Sequence, residues 1–145
     1  MKFARHDSAG YLANLLARLL AQALASEIAP LGLAPAQFTV LVELWREPGL
    51  TQRQLVERLD IEQGTMTATL ARMERDGLIL RRPHKDDGRA RSIRLTAKAE
   101  SALPKAIEAA MAVNSLALAP LSAGERRVLL TLMQRVIDGF RQPRT

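Results

Sequence analysis

The chain has no cysteine, two histidines and five aromatic residues among its 145. Without thiols there is no disulfide, no thiolate metal site and no cysteine-based redox sensor, which fits a reducing cytoplasm. His6 and His84 belong to no ligand-spaced cluster of acids, so neither a metal nor another cofactor is expected. Catalytic signatures are equally scarce. There is no Gly-rich phosphate loop, no His-x-x-x-His pair and no nucleophile elbow, and the acids are scattered rather than paired, so an enzyme is not expected. The Leu/Ala-rich stretch over 11–28 is interrupted by Asn14, Arg18, Gln22 and Glu27, which argues against a signal peptide or membrane span. The length suits one domain with a real core, not a catalytic domain plus a separate binding domain.

What the chain does have is positive charge in one place. The formal net charge is +6, and the window Arg72 to Lys98 alone carries nine Lys/Arg against four acids. An excess confined to one segment marks a polyanion-binding face, and with no lipid-inserting stretch nucleic acid is the leading polyanion.

Tyr11, Leu12, Leu15, Leu16, Leu19, Leu20, Ala23, Leu24 and Ile28 recur at helical spacing and predict a long helix with a wide apolar stripe, ended by Pro30 and Gly32. Pro35, at the favoured first position, opens a second helix that carries Phe38, Leu41, Val42 and Trp45 to one side and stops at Pro48-Gly49. Ala34 is a poor cap for it. Thr51-Gln52-Arg53-Gln54 is a capping-box pattern ahead of a short helix through Leu59. A tight connection over 60–64 leads into a helix from about Gln63 to Asp76, with Met66, Leu70 and Met73 as its buried line and Gly77 as its stop. Helix, short turn, helix is the helix-turn-helix module.

Residues 78–96 then read as a basic β-ribbon. Leu78, Leu80, Ile93 and Leu95 alternate along two arms, and Asp87-Gly88 suits the turn. Arg81, Arg82, Lys85, Arg89, Arg91 and Arg94 load arms and tip with charge. Thr96 caps a long Ala-rich helix to about Leu118, in which Pro104 predicts a kink or a break. Ser122-x-x-Glu125 is a second capping box, after which Val128, Leu129, Leu132, Met133, Val136, Ile137 and Phe140 repeat the stripe of the first helix. A single copy cannot easily cover both broad terminal stripes. An isologous dimer through Leu15, Leu19, Leu132, Val136 or their neighbours is the economical solution.

Asp87, Arg89, Leu95 and Thr96 resemble the Asp-x-Arg…Leu-Thr wing signature of the MarR family of bacterial transcriptional regulators, and the resemblance extends over nearly the whole chain. It implies a mainly α winged helix-turn-helix fold with a small β-wing. The expected layout is a single domain, 1–145, with a DNA-binding core at about 33–96 and dimerisation helices at about 8–30 and 97–142. The implied function is that of a cytoplasmic homodimer on a pseudo-palindromic operator in double-stranded DNA, usually a repressor, released by a small aromatic or phenolic effector.

Candidate residues follow from the two readings together. Opposite the buried line, the 63–76 helix presents Thr65, Ala68, Thr69, Arg72 and Arg75, flanked by Gln63 and Thr67. Gln63, Thr65, Thr67 and Thr69 are hydrogen-bonding groups suited to major-groove base edges, with Gln able to read adenine and Thr able to touch the thymine methyl, while Arg72 and Arg75 suit phosphates. Arg89 stands where the family places an arginine in the minor groove, with Asp87 to orient it; Arg91 and Arg94 either contact phosphates or stay solvated. Thr51 and Gln52 begin a helix whose amides favour a phosphate, or they only cap it. Many family members carry arginine at the position of Ala68, so direct base readout here is expected to be weaker or to lean more on the wing. Tyr11, Phe38 and Trp45 lie on helices that border the family's effector pocket, with Arg18 available to an anionic effector; aromatics at helical spacing otherwise pack as core. The rival from a different class is a winged-helix protein-interaction or assembly module, and salt-dependent duplex binding separates the two.

Overall fold

The computed structural model describes residues 2–86 and 88–143. In chain order the elements are α1 (Ala9–Ile28), α2 (Pro35–Arg46), α3 (Gln52–Leu59), α4 (Gln63–Arg75), β1 (Ile79–Pro83), β2 (Arg91–Leu95), α5 (Ala97–Ala117) and α6 (Ala123–Arg141), with short 3-10 turns at Arg5–Asp7 and Ala29–Leu31. The fold is mostly helical with a two-stranded antiparallel sheet.

Helix starts are fixed by side chains that bond the otherwise orphaned first-turn amides. Thr51 and Gln54 form the expected capping box, with the Gln54 amide donating to Thr51 Oγ1 at 3.2 Å and the Thr51 amide to Gln54 Oε1 at 2.9 Å. Ser122 and Glu125 repeat the arrangement at α6. The hydrogen bond from the Ser122 amide, followed by that from its hydroxyl, holds the Glu125 carboxyl below the usual glutamate range. Thr96 caps α5 by accepting from the Ala99 amide, and its hydroxyl donates to the Gly77 carbonyl at 2.6 Å. The end of α4 is a Schellman motif: Leu78 N–H bonds the Met73 carbonyl and Gly77 N–H the Glu74 carbonyl, with Gly77 at φ +73°.

Three expectations need correction. The α2 face that meets the core is Val40, Leu41 and Leu44 with Gln37; Phe38 and Val42 lie at its margins and Trp45 is 58% exposed. One residue past Leu44 turns the helix by roughly 100°, which takes Trp45 off the buried face. In the ribbon, Ile79 rather than Leu80 packs inward, because Leu78 still belongs to the turn that closes α4 and the strand begins one residue later; Leu80 is 44% exposed. The register pairs Ile79 with Leu95 and Arg81 with Ile93, and just beyond the strands His84 N–H bonds the Ala90 carbonyl at 3.0 Å. Asp87 lies outside the described residues. Finally, α5 continues through Pro104, so of the expected kink or break the break does not occur. The bond lost there would have gone to the Glu100 carbonyl, in an exposed first turn that water can reach.

The core joins α2, α3 and α4 to the base of the sheet and to α5. Leu41, Leu44, Leu55, Met66, Leu70, Met73, Ile79, Ile93 and Leu103 are almost completely buried. Leu50 adds a one-residue third edge to the sheet, its carbonyl accepting from Ile93 N–H at 2.9 Å while Gly49 N–H donates to the Ile93 carbonyl at 3.0 Å. Gly49 holds φ +88°, and a Cβ there would lie 3.2 Å from Arg94 Nη2, so this bridge requires glycine.

Candidate nucleic-acid interface

The buried line of α4 fixes which of its side chains face out. With Met66, Leu70 and Met73 in the core, Gly64, Ala68 and Ala71 form a small-residue ridge on the exposed side. Thr65, Thr69 and Arg72 stand on one flank of that ridge, sharing a groove with Ala34, Ala36 and Gln37 at the start of α2. Gln63 and Thr67 stand on the other flank, toward α3. Short side chains along the crest let a helix backbone approach a surface closely, and the polar groups on either side then reach past it.

The wing closes the opposite side. Arg89 and Arg91 from the ribbon share a groove with Thr51, Gln52 and Arg53 at the start of α3, and Arg91 also borders a second groove with Ala71 and Arg75 of α4. Arg81 lies between the two grooves, its Nε donating to Glu74 Oε2 at 2.7 Å, which fastens the root of the wing to α4. The structure thus brings Thr51, Gln52, Arg75, Arg89 and Arg91 to one side of the molecule, next to the exposed crest of α4. Among the described residues, the side chains of Gln63, Thr65, Thr69, Arg72 and Arg75 make no hydrogen bond or ion pair within the chain, so their polar groups stay available.

Several residues that orient this surface carry no obvious signal in the sequence. Gln37, 4% exposed, accepts from the Ala34 amide at 3.1 Å and donates to Asp76 Oδ2 at 3.2 Å, joining the start of α2 to the end of α4. Its place three residues after Ala34 is the reciprocal half of a capping box, and that spacing was the available clue. Lys98 Nζ donates to the Asp76 carbonyl at 2.8 Å. Gln52 Nε2 donates to Thr67 Oγ1 at 2.7 Å, a contact between α3 and α4 that spacing alone does not reveal.

The expected effector residues are more dispersed. Phe38 packs at the edge of the core, Tyr11 and Trp45 are exposed, and Arg18 Nη1 donates to Asn14 Oδ1 along α1 at 2.9 Å. None of the grooves described above is lined by these four.

Residues 33–90, from just ahead of α2 to the wing loop, match the MarR family. The chain belongs to that family. It is 34% identical over 105 residues to an uncharacterised HTH-type transcriptional regulator of Bacillus cereus, covering 72% of this chain and 69% of the relative. Against the transcriptional regulator HosA of Escherichia coli the identity is 32% over 106 residues, covering 73% and 78%. Among solved structures, the PcaV transcriptional regulator of Streptomyces coelicolor superposes with a TM-score of 0.82 at 30% identity, covering 95% of this chain and 97% of that one. The winged helix-turn-helix assignment and the role of DNA-binding transcriptional regulator stand on these likenesses together with the surface just described.

Proposed function

We propose that this MarR-family regulator acts as a homodimer, with α4 of each copy in a major groove of a pseudo-palindromic operator and the wing, led by Arg89, in the adjacent minor groove. The observation that carries the reading is the exposed face of α4: uncommitted polar side chains beside a small-residue crest, with the basic wing next to it. In this division of the chain, 33–96 binds DNA while 8–30 and 97–142 hold the two copies together. Leu15, Leu19, Leu132 and Val136 are all exposed, as the interface requires. Helix α1 with its extension to Leu31 is long and apolar enough to cross a bilayer. Its packing on α5 and the matching exposed stripe on α6 favour a second copy over lipid as its cover, hence a cytoplasmic protein.

The test is the salt dependence of duplex binding. Two recognition helices and two wings that neutralise about 6 to 10 phosphates lose roughly 10³ to 10⁵ in affinity between ~50 and ~200 mM salt. A flat dependence overturns the DNA reading in favour of a protein-interaction module. Repression lifted by a small aromatic or phenolic effector is the accompanying reading, supported by the likeness to PcaV, whose solved structure is a complex with its natural ligand. Trp45 is the sole tryptophan, so phenolic compounds that act near Tyr11, Arg18, Phe38 and Trp45 should change its emission and weaken operator binding over the same concentration range. Emission changes without a change in DNA affinity exclude that coupling.

A further inference from the structure

The three threonines of α4 are not equivalent. Thr65 and Thr69 have no hydrogen-bond partner among the described residues, whereas the Thr67 hydroxyl is committed on two sides. It donates its only proton to the Gln63 carbonyl one turn back, at 2.9 Å, and accepts from Gln52 Nε2 at 2.7 Å. A hydroxyl in that state has no proton for a base acceptor such as guanine O6 or N7, adenine N7 or thymine O4. Yet Thr67 is exposed, on the flank of α4 that faces α3, and what its two hydrogen bonds leave uncommitted is one oxygen lone pair and the γ-methyl. A methyl at a major-groove edge discriminates by apolar contact, and the one base that offers an apolar group there is thymine, through its C5-methyl.

We infer that Thr67 reads one thymine in each half-site through its methyl group, and that Gln52 is a positioning residue that fixes the Thr67 rotamer across the α3–α4 junction. The inference rests on the proposal that α4 enters the major groove. It narrows the sequence reading, which left Thr67 a hydrogen bond or a thymine-methyl contact at a base edge and gave Gln52 a phosphate or capping role. The geometry also explains why an exposed threonine is useful here where serine is not: the hydroxyl secures the side chain, and the methyl is what the base meets.

Replacing thymine by deoxyuridine removes only the C5-methyl, so it tests the contact atom by atom. A preferred duplex is first selected from a random pool with the full chain, and each thymine is then replaced singly. At one position per half-site the substitution should weaken wild-type binding about threefold to fivefold, the scale of one buried methyl-sized group. Thr67→Ser should bind the thymine and deoxyuridine duplexes equally at that position. Thr67→Val should keep the thymine preference, since a valine on a helix holds one χ1 rotamer without hydrogen bonds, while binding all sequences more weakly because the Gln52 amide has lost its acceptor. Gln52→Ala should likewise weaken binding and reduce the ratio at the same position only. The inference is overturned if Thr67→Ser keeps the discrimination, if Thr67→Val loses it, or if no single thymine matters to the wild type. Selection of no preferred sequence at all overturns the underlying major-groove reading instead, and the two failures are told apart by that first step.

Discussion

Residues 28 to 113 and the two outer helices are similarly rich in apolar side chains but dispose of them in opposite ways. In the first region leucines, methionines and isoleucines from four helices and the sheet close on one another, and Leu41, Leu44, Leu55, Met66, Leu70 and Met73 lose essentially all contact with solvent. In α6 no residue is buried, although Val128, Leu130, Leu132, Met133, Val136, Ile137 and Phe140 are all large and apolar. Along α1 only Ile28, at its last position, is buried. The same helical periodicity therefore carries two meanings. It shows that a helix has an apolar face, and only the packing shows whether the chain itself covers that face. An uncovered stripe of this extent marks an interaction surface.

The largest effect should come from breaking the outer region alone. Leu132→Asp combined with Val136→Asp places charges on the α6 stripe without touching the core. The expected outcome is a halved mass in sedimentation, retained helical circular dichroism and an operator affinity lower by about 10² to 10⁴, the scale lost when two linked binding modules become separate. An unchanged mass at micromolar concentration would show that something other than a second copy covers the stripe.

The converse experiment breaks the inner region. Leu70→Ala leaves a void where α4 meets the core and should reduce unfolding free energy by about 2 to 5 kcal/mol in urea titrations at fixed protein concentration. Leu132→Ala, at an exposed position in the single chain, should cost less and show its effect chiefly as concentration-dependent stability. Equal, concentration-independent losses for the two substitutions would erase the distinction between core and interface.

How much of this was legible in advance follows the same division. The helices, their caps and the Met66–Leu70–Met73 line were readable because each depends on residues within a turn or two of one another: Thr51 with Gln54, Ser122 with Glu125, Gly77 with the end of α4. The Leu80 and Trp45 placements were not, since each turns on a shift of one residue. At the strand, that shift was set by where the Schellman turn finished; at α2, several sides of the helix offered apolar residues. The candidate DNA surface was legible as a set of residues, through charge and the resemblance of the wing. Its internal bonds were hidden: Gln52 and Thr67, Arg81 and Glu74, and Gln37 and Asp76 meet only after the fold brings separate elements together.

The smallest effect concerns a place where the end of the outer region touches the helix-turn-helix. Arg141, at the last position of α6, donates to Asp60 Oδ2 from Nη2 at 2.7 Å and from Nε at 3.2 Å, and its Nη2 also reaches the Arg58 carbonyl at 3.0 Å. Asp60 caps α3 in the left-handed region, at φ +50°, so it forms the turn between α3 and α4. Both side chains are at least half exposed, which limits the pair to about 0.2 to 1 kcal/mol and makes it sensitive to salt. Asp60→Asn keeps a residue that tolerates the left-handed conformation while removing the charge. Arg141→Ala and Asp60→Asn, singly and together, should each lower operator affinity by less than about fivefold with no change in dimer mass, and the double variant should lose less than the sum of the two. Strict additivity would mean that the contact transmits nothing, leaving α5 as the main link between the dimer and the recognition helix.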